Sequence, residues 1–261
     1  MRLLFLMLLP LLGNLYAQDS WYDKFHPGIE AGIFMNDFGG DISNATPSNV
    51  DFRDELLYEN TNSSYFALTL NNDYDYVPDF EISYMNVEQN KNAELNSTRV
   101  ITLGALYDGQ IRSKIEYSVL NVILKSSFKY KGSMTRFLFW DVYSGDIEYN
   151  FGINAKNISY RFDIEKSDGT LPSFISVDSF IPLPYVGVKY YWYDFMFYAH
   201  GSALSFLDAK AIDYEAGLDY RLIEKFYVGA SYMHEEFEAT ERQDTVYFKS
   251  YGAKLSFKYY F

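Results

Sequence analysis

Tyr251-Gly252-Ala253-Lys254-Leu255-Ser256-Phe257-Lys258-Tyr259-Tyr260-Phe261 closes the chain. Tyr251, Ala253, Leu255, Phe257, Tyr259 and Phe261 share one parity. Gly252, Lys254, Ser256, Lys258 and Tyr260 share the other. Side chains of a strand point alternately to its two faces, so this segment has one greasy face and one polar face. An aromatic-rich alternating run at the end of a chain is the expected closing strand of an outer-membrane β-barrel. Tyr251, Leu255, Phe257, Tyr259 and Phe261 would then face lipid.

The same dyad recurs upstream. Ile212, Tyr214, Ala216, Leu218, Tyr220 and Leu222 oppose Asp213, Glu215, Gly217, Asp219 and Arg221. Ile147, Tyr149, Phe151 and Ile153 oppose Glu148, Asn150, Gly152 and Asn154, and Ile29, Ala31 and Ile33 oppose Glu30 and Gly32. So many strands with charges on the polar side predict an all-β fold, a transmembrane antiparallel up-and-down barrel over residues 18–261. About ten strands are expected, with eight or twelve open, since a bacterial barrel has an even number.

Short polar breaks at 71–77, 143–146, 193–194 and 223–225 read as periplasmic turns. Longer polar stretches at about 37–63, 89–122, 163–180 and 238–245 read as outer loops. Segment 98–120 alternates on its own account, as a hairpin above the membrane or as two more strands. Stretch 123–142 reads as one long strand bulged at Lys131-Gly132.

The opening residues fit export. Met1-Arg2 precedes an apolar run from Leu3 to Leu12, and Ala17 offers a cleavage point, so residues 1–17 read as a cleaved signal peptide. Such a run is too short to cross a bilayer as a helix, which takes about 20 residues. There are no cysteines, so disulfides and thiol catalysis are excluded. Aromatic residues make up 20% of the chain, with 26 Tyr and 22 Phe, which suits girdles at two membrane interfaces. A formal charge of −13 argues against nucleic acid as a partner.

The lumen-facing parity carries both signs. Its acids are Glu30, Glu81, Glu148, Asp213, Glu215 and Asp219; its bases are Lys156, Lys189, Arg221, Lys254 and Lys258. A barrel of about eight to ten strands has a bore that side chains largely fill. Opposite charges in such a bore are expected to pair and plug it, because unpaired burial is costly. That favours a structural or surface-exposed barrel over a narrow channel for small solutes.

Three histidines bear on catalysis. His26 precedes the first predicted strand, and His234 falls on the lipid parity. His200 shares the inward parity with Ser202, with Asp213 and Glu215 on the next strand. A Ser, a His and an orienting acid are the parts of a lipid deacylase-type hydrolase, so His200 and Ser202 are the weak catalytic candidates of a chain otherwise read as no enzyme. No metal spacing and no cofactor motif appears. Asn71 to Asp75 is oxygen-rich, but it lacks the Gly and final Glu of a calcium loop.

Val50-Asp51-Phe52-Arg53-Asp54-Glu55-Leu56, Val77-Pro78-Asp79-Phe80-Glu81-Ile82-Ser83-Tyr84, Leu138-Phe139-Trp140-Asp141-Val142, Gly152-Ile153-Asn154-Ala155-Lys156 and Ile181-Pro182-Leu183-Pro184 follow one another in order. Together they resemble segments of a family of small Gram-negative outer-membrane β-barrel proteins that carry a signal peptide and are known by location rather than activity. The resemblance implies an outer-membrane barrel in contact with outer-membrane lipids. It brings no catalytic residues and names no external partner. Resemblance to other barrels also implies that the last strand is the signal read by the barrel-assembly machinery. Deleting Phe261 is expected to slow assembly, checked by the amount of heat-modifiable barrel in membranes; normal levels would remove that role.

Overall fold

A computed structural model describes residues 24–44, 50–74, 77–100, 105–137, 140–206, 209–241 and 244–261. The signal-peptide expectation for residues 1–17 lies outside them. In chain order the strands are β1 (Phe25–Asn44), β2 (Val50–Asp51), β3 (Thr61–Asn72), β4 (Asp79–Val100), β5 (Leu106–Tyr130), β6 (Met134–Phe137), β7 (Trp140–Tyr143), β8 (Asp146–Lys166), β9 (Ser173–Trp192), β10 (Phe195–Phe206), β11 (Ala209–Ile223), β12 (Phe226–Glu241) and β13 (Asp244–Tyr260).

Among the described residues, ten long strands pair antiparallel with their sequence neighbours, and β13 returns to β1. That last ladder runs from Gly28↔Tyr260 to Asn44↔Asp244. The Phe261 N–H donates to the Pro27 carbonyl at 2.9 Å, so pairing continues to the final residue. The result is the expected closed up-and-down barrel with no helix among the described residues. The end that holds Phe25 and Phe261 is called the near end below, and the opposite one the far end.

Outward side chains form an apolar band around the near half. Phe66, Phe128, Phe151, Ile153, Val186, Leu255 and Phe257 are each more than half exposed. Above the band the pattern inverts. On β8 the inward parity runs Glu148, Asn150, Asn154 and Lys156, then Ile158, Tyr160, Phe162 and Ile164, all buried. Outward, Tyr149, Phe151 and Ile153 give way to Asn157, Arg161, Asp163 and Glu165. β5 does the same: Ile111, Ile115, Tyr117 and Val119 point in, while Arg112 pairs outward with Glu165 and Lys114 with Glu88.

Length explains the switch. A strand rises about 3.3 Å per residue, so the 25 residues of β5 run about 80 Å. Tilted by about 45° they still stand about 60 Å tall, more than twice an apolar belt of about 25 Å. The excess projects beyond the belt, where water lies outside and the greasy face turns inward.

This corrects several expectations. The stretches read as outer loops at 89–122, 163–180 and parts of 37–63 and 238–245 are largely strand. Their polar residues coat the outside of the projecting wall. Segment 98–120 is the far end of the β4–β5 hairpin and adds no strands. The long bulged strand at 123–142 ends at Tyr130, and β6 and β7 make a separate two-stranded hairpin at the near rim. Gly132 and Gly145 close its base, where a Cβ on Gly132 would lie 2.0 Å from the Gly145 carbonyl oxygen. There the Tyr143 hydroxyl and the Gly132 N–H donate to Asp146 and hold its carboxyl below the usual range. His26 lies inside β1 rather than before it, with Nε2 3.0 Å from Asp73.

In the far half the wall parts into two facing sheets. β3 pairs with β4 only up to Ser64↔Asn86, and β9 with β10 only up to Tyr185↔Ser202. The first gap is patched by residues 50–60: Phe52 lies 6.0 Å from Phe162, the Tyr58 hydroxyl donates to Ser113 at 2.9 Å, and Lys91 pairs with Glu59. The second begins directly above Pro184. A proline lacks an N–H, so its pairs with β8, Pro184↔Ile153 and Pro182↔Ala155, are the non-hydrogen-bonded kind. Even-numbered residues of β9 therefore turn their backbone groups toward β10, and the two prolines have no donor to offer there.

Between the sheets lies a solid core. Phe248 sits 4.1 Å from Tyr117 and 6.0 Å from Tyr160, ring centre to ring centre, and all three rings are buried. Phe248→Ala is expected to cost about 3–5 kcal/mol, the usual penalty for deleting a buried aromatic ring. The urea midpoint in detergent checks it, and hydrogen exchange should quicken first at 111–119 and 158–164.

Candidate functional site

The polar inward residues of the near half line a cavity of about 440 Å³. Its mouth is at the near end, beside His26, Glu224, Tyr227, Tyr260 and Phe261. Its walls are ion pairs and tyrosine rings. Beyond it lies the buried cluster below the far-half core.

Register places the charges. Glu30 of β1 faces Lys258 of β13, and Glu148 of β8 faces Lys189 of β9. Lys258 lies 2.7 Å from Asp219 and 3.5 Å from Glu30. Lys254 lies 3.0 Å from Glu30 and 2.8 Å from Glu215. The Tyr198 hydroxyl donates to Glu215 at 2.7 Å, and Lys254 rests 3.9 Å from the centre of the Tyr65 ring. One chain of contacts thus joins β13, β1, β11 and β10.

A second group lies round the wall. Lys125 donates to Glu81 at 2.8 Å, Lys189 to Glu148 at 2.9 Å, and the Tyr191 hydroxyl to Glu148 at 3.0 Å. Farther along the bore, beyond the residues that line the cavity, Lys156 lies 3.0 Å from both Asp213 and Glu235, with the Tyr117 hydroxyl donating to Glu235 at 3.2 Å. Tyr117 belongs to the core above, so the polar cluster and the greasy core meet at this residue. Asp219 is fully buried against Gly229, where a Cβ would come within 2.2 Å of its Oδ1.

Of the charged residues that the sequence placed in the lumen, one stands apart. Arg221, two residues beyond Asp219 at the near end of β11, is exposed at the near rim and pairs with Asp194 at 2.6 Å. Lys125 and Glu235, both buried, were missed. Lys125 lay in the stretch read as one bulged strand, although it shares the parity of Ile123. Glu235 continues the inward parity of Ser231 and Met233, just short of the stretch read as an outer loop at 238–245.

His200 and Ser202 both point inward but are not joined. Among the described residues no hydrogen bond links them. His200 stacks on Tyr198 and lies tilted against Tyr185, with Nε2 3.8 Å from Glu215. Ser202 is buried and accepts from Asn154 at 3.4 Å, while its register partner Asp213 is engaged by Lys156. His234 faces outward at the top of the band, stacked 4.7 Å from Tyr214.

No family model matches the chain, and no curated protein matches it. Solved barrels are similar at a distance. The translocator domain of the autotransporter NalP from Neisseria meningitidis covers 100% of this chain and 95% of its own length, at 10% identity and a TM-score of 0.43. The outer membrane protease OmpT from Escherichia coli covers 95% of this chain and 100% of its own, at 9% identity and 0.39. Ail, the attachment invasion locus protein of Yersinia pestis, covers 89% of this chain and 99% of its own, at 10% identity and 0.34. Likenesses this remote do not bear on function, and the sequence's resemblance to small outer-membrane barrels has no family model behind it.

Removing one partner of a buried ion pair leaves the other uncompensated. Lys125→Met is expected to cost about 3–5 kcal/mol by stranding Glu81, and adding Glu81→Leu should restore most of it, because an apolar pair needs no charge balance. Urea midpoints of the two variants in detergent check this.

Proposed function

We propose that the chain is an integral outer-membrane barrel of a Gram-negative bacterium, exported with a cleaved leader and structural in role. It carries a rigid polar-coated lobe to the cell surface over a closed bore. The exposed apolar band supports the membrane placement, since a water-soluble barrel does not leave a continuous greasy belt in solvent. The near end then opens to the periplasm, and the far-half lobe stands outside the cell. Outer-membrane lipids surround the band, and the assembly machinery meets β13 during biogenesis.

The observation that carries the role is the far half of the bore. Phe34, Phe52, Tyr58, Tyr117, Tyr160, Phe162 and Phe248 are each at most 1% exposed there. A path for solutes would have to pass between rings in contact. The narrow-channel reading is therefore the weaker one. The lipid-hydrolase reading has His200 and Ser202 on one face, but no hydrogen bond by which the histidine could activate the serine. External contacts of the lobe would be made by the outward ladder that includes Arg112, Lys114, Arg161 and their acids.

Purified barrel in planar bilayers is expected to show no steady conductance. Reproducible single-channel steps from the pure protein would overturn the closed-bore reading. Lipid composition is expected to be the same with and without the protein, and with His200→Ala.

A further inference from the structure

The near-end cavity holds more hydrogen-bonding capacity than its own residues use. Glu81 on β4 gives Oε2 to Lys125, while Oε1 has no hydrogen-bond partner among the described residues. Lys189 on β9 spends one donor on Glu148, and its side chain is 22% exposed. The Tyr185 hydroxyl, also on β9, has no protein partner among the described residues. His200 on β10 stands 3.8 Å from Glu215, beyond hydrogen-bond reach. All four line the same cavity. β9 and β10 lie three and four strands round the wall from β4, so the spare acceptor faces the spare donors across the opening.

We infer that this cavity binds a small zwitterion, its ammonium on Glu81 and its carboxylate on Lys189 and His200. Unused groups of both kinds line the opening, an acceptor on Glu81 and donors on Lys189 and His200, which argues for a ligand with one charge of each sign. Lys125, Lys254, Lys258 and Lys189 are each already matched by an acid in the wall. An anion would add a charge that no spare lysine compensates, and such burial is costly. A zwitterion brings its own balance and finds one complementary group at each end. Tyr185 supplies a hydroxyl and a ring between them. The volume lies in the range of small-molecule sites, about 300–1,000 Å³, and admits an amino acid or a dipeptide. The ligand enters from the near end and stops short of Lys156, Asp213 and Glu235. It is held rather than passed, so in that respect the inference rests on the closed bore.

The test uses the full mature barrel in nanodiscs, titrated calorimetrically with L-alanyl-L-alanine. Saturable heat is expected. N-acetylated and C-amidated forms of the dipeptide should each bind at least about tenfold more weakly, since each removes one charge from a paired contact. Glu81→Gln and Lys189→Met should each weaken the unmodified dipeptide by a similar factor, in preparations that keep heat-modifiable mobility. If Glu81→Gln does not yield folded barrel, the capped dipeptides on the unaltered protein decide alone. Absence of saturable heat, or equal binding by the capped forms, would overturn the inference. Heats are read independently of conductance, so failure of this reading and failure of the closed bore are seen apart.

Discussion

The ladder between β1 and β13 is the constraint on which the rest depends. It runs from Gly28↔Tyr260 to Asn44↔Asp244 and joins the first long strand to the last. Without it the sheet would have two long edges, and their unpaired N–H and C=O groups would have no partner in hydrocarbon. Closure also creates an inside. Once a wall returns on itself, every inward side chain must be packed, paired or wetted, and the chain does all three at different heights.

A strand cannot change which way a given parity points without a bulge or a twist. What changes along this wall is the medium outside it. Beside the apolar band, inward residues are polar and outward ones greasy; beyond the band the roles exchange with no break in register. Lys156 and Ile158 sit two positions apart on the same face of β8, one ion-paired and the other in an aromatic core. The polar cluster around Lys156 marks this exchange point. Tyr117 spans it, with a ring against Phe248 and a hydroxyl on Glu235.

The dyad made closure, strand directions, three of the four near-end turns and the closing strand legible in sequence, because period-two alternation reports faces directly. Most of the cavity's charges were legible for the same reason. The projecting lobe was not. Its outward residues, such as Arg112, Lys114, Arg161 and Asp163, looked like loop because polarity was read without asking which parity carried it. Ile158, Tyr160, Phe162 and Ile164 spell out the switched parity plainly in hindsight. Arg221 shows the opposite limit: it keeps the inward parity of Asp219, yet it stands at the strand's end, where Asp194 of the neighbouring turn holds it at the rim. Nothing in the spacing of His200 and Ser202 distinguishes two neighbours on one face from two groups in contact.

The proline pair on β9 has a consequence for life in a crowded membrane. A strand flank with open donors and acceptors invites any passing extended segment to dock, and identical copies are the most abundant candidates. Here Pro182 and Pro184 supply no donors, and Asp178 sets a charge a little higher on the same outward parity. At the gap between β9 and β10 these residues disfavour strand exchange with a second copy.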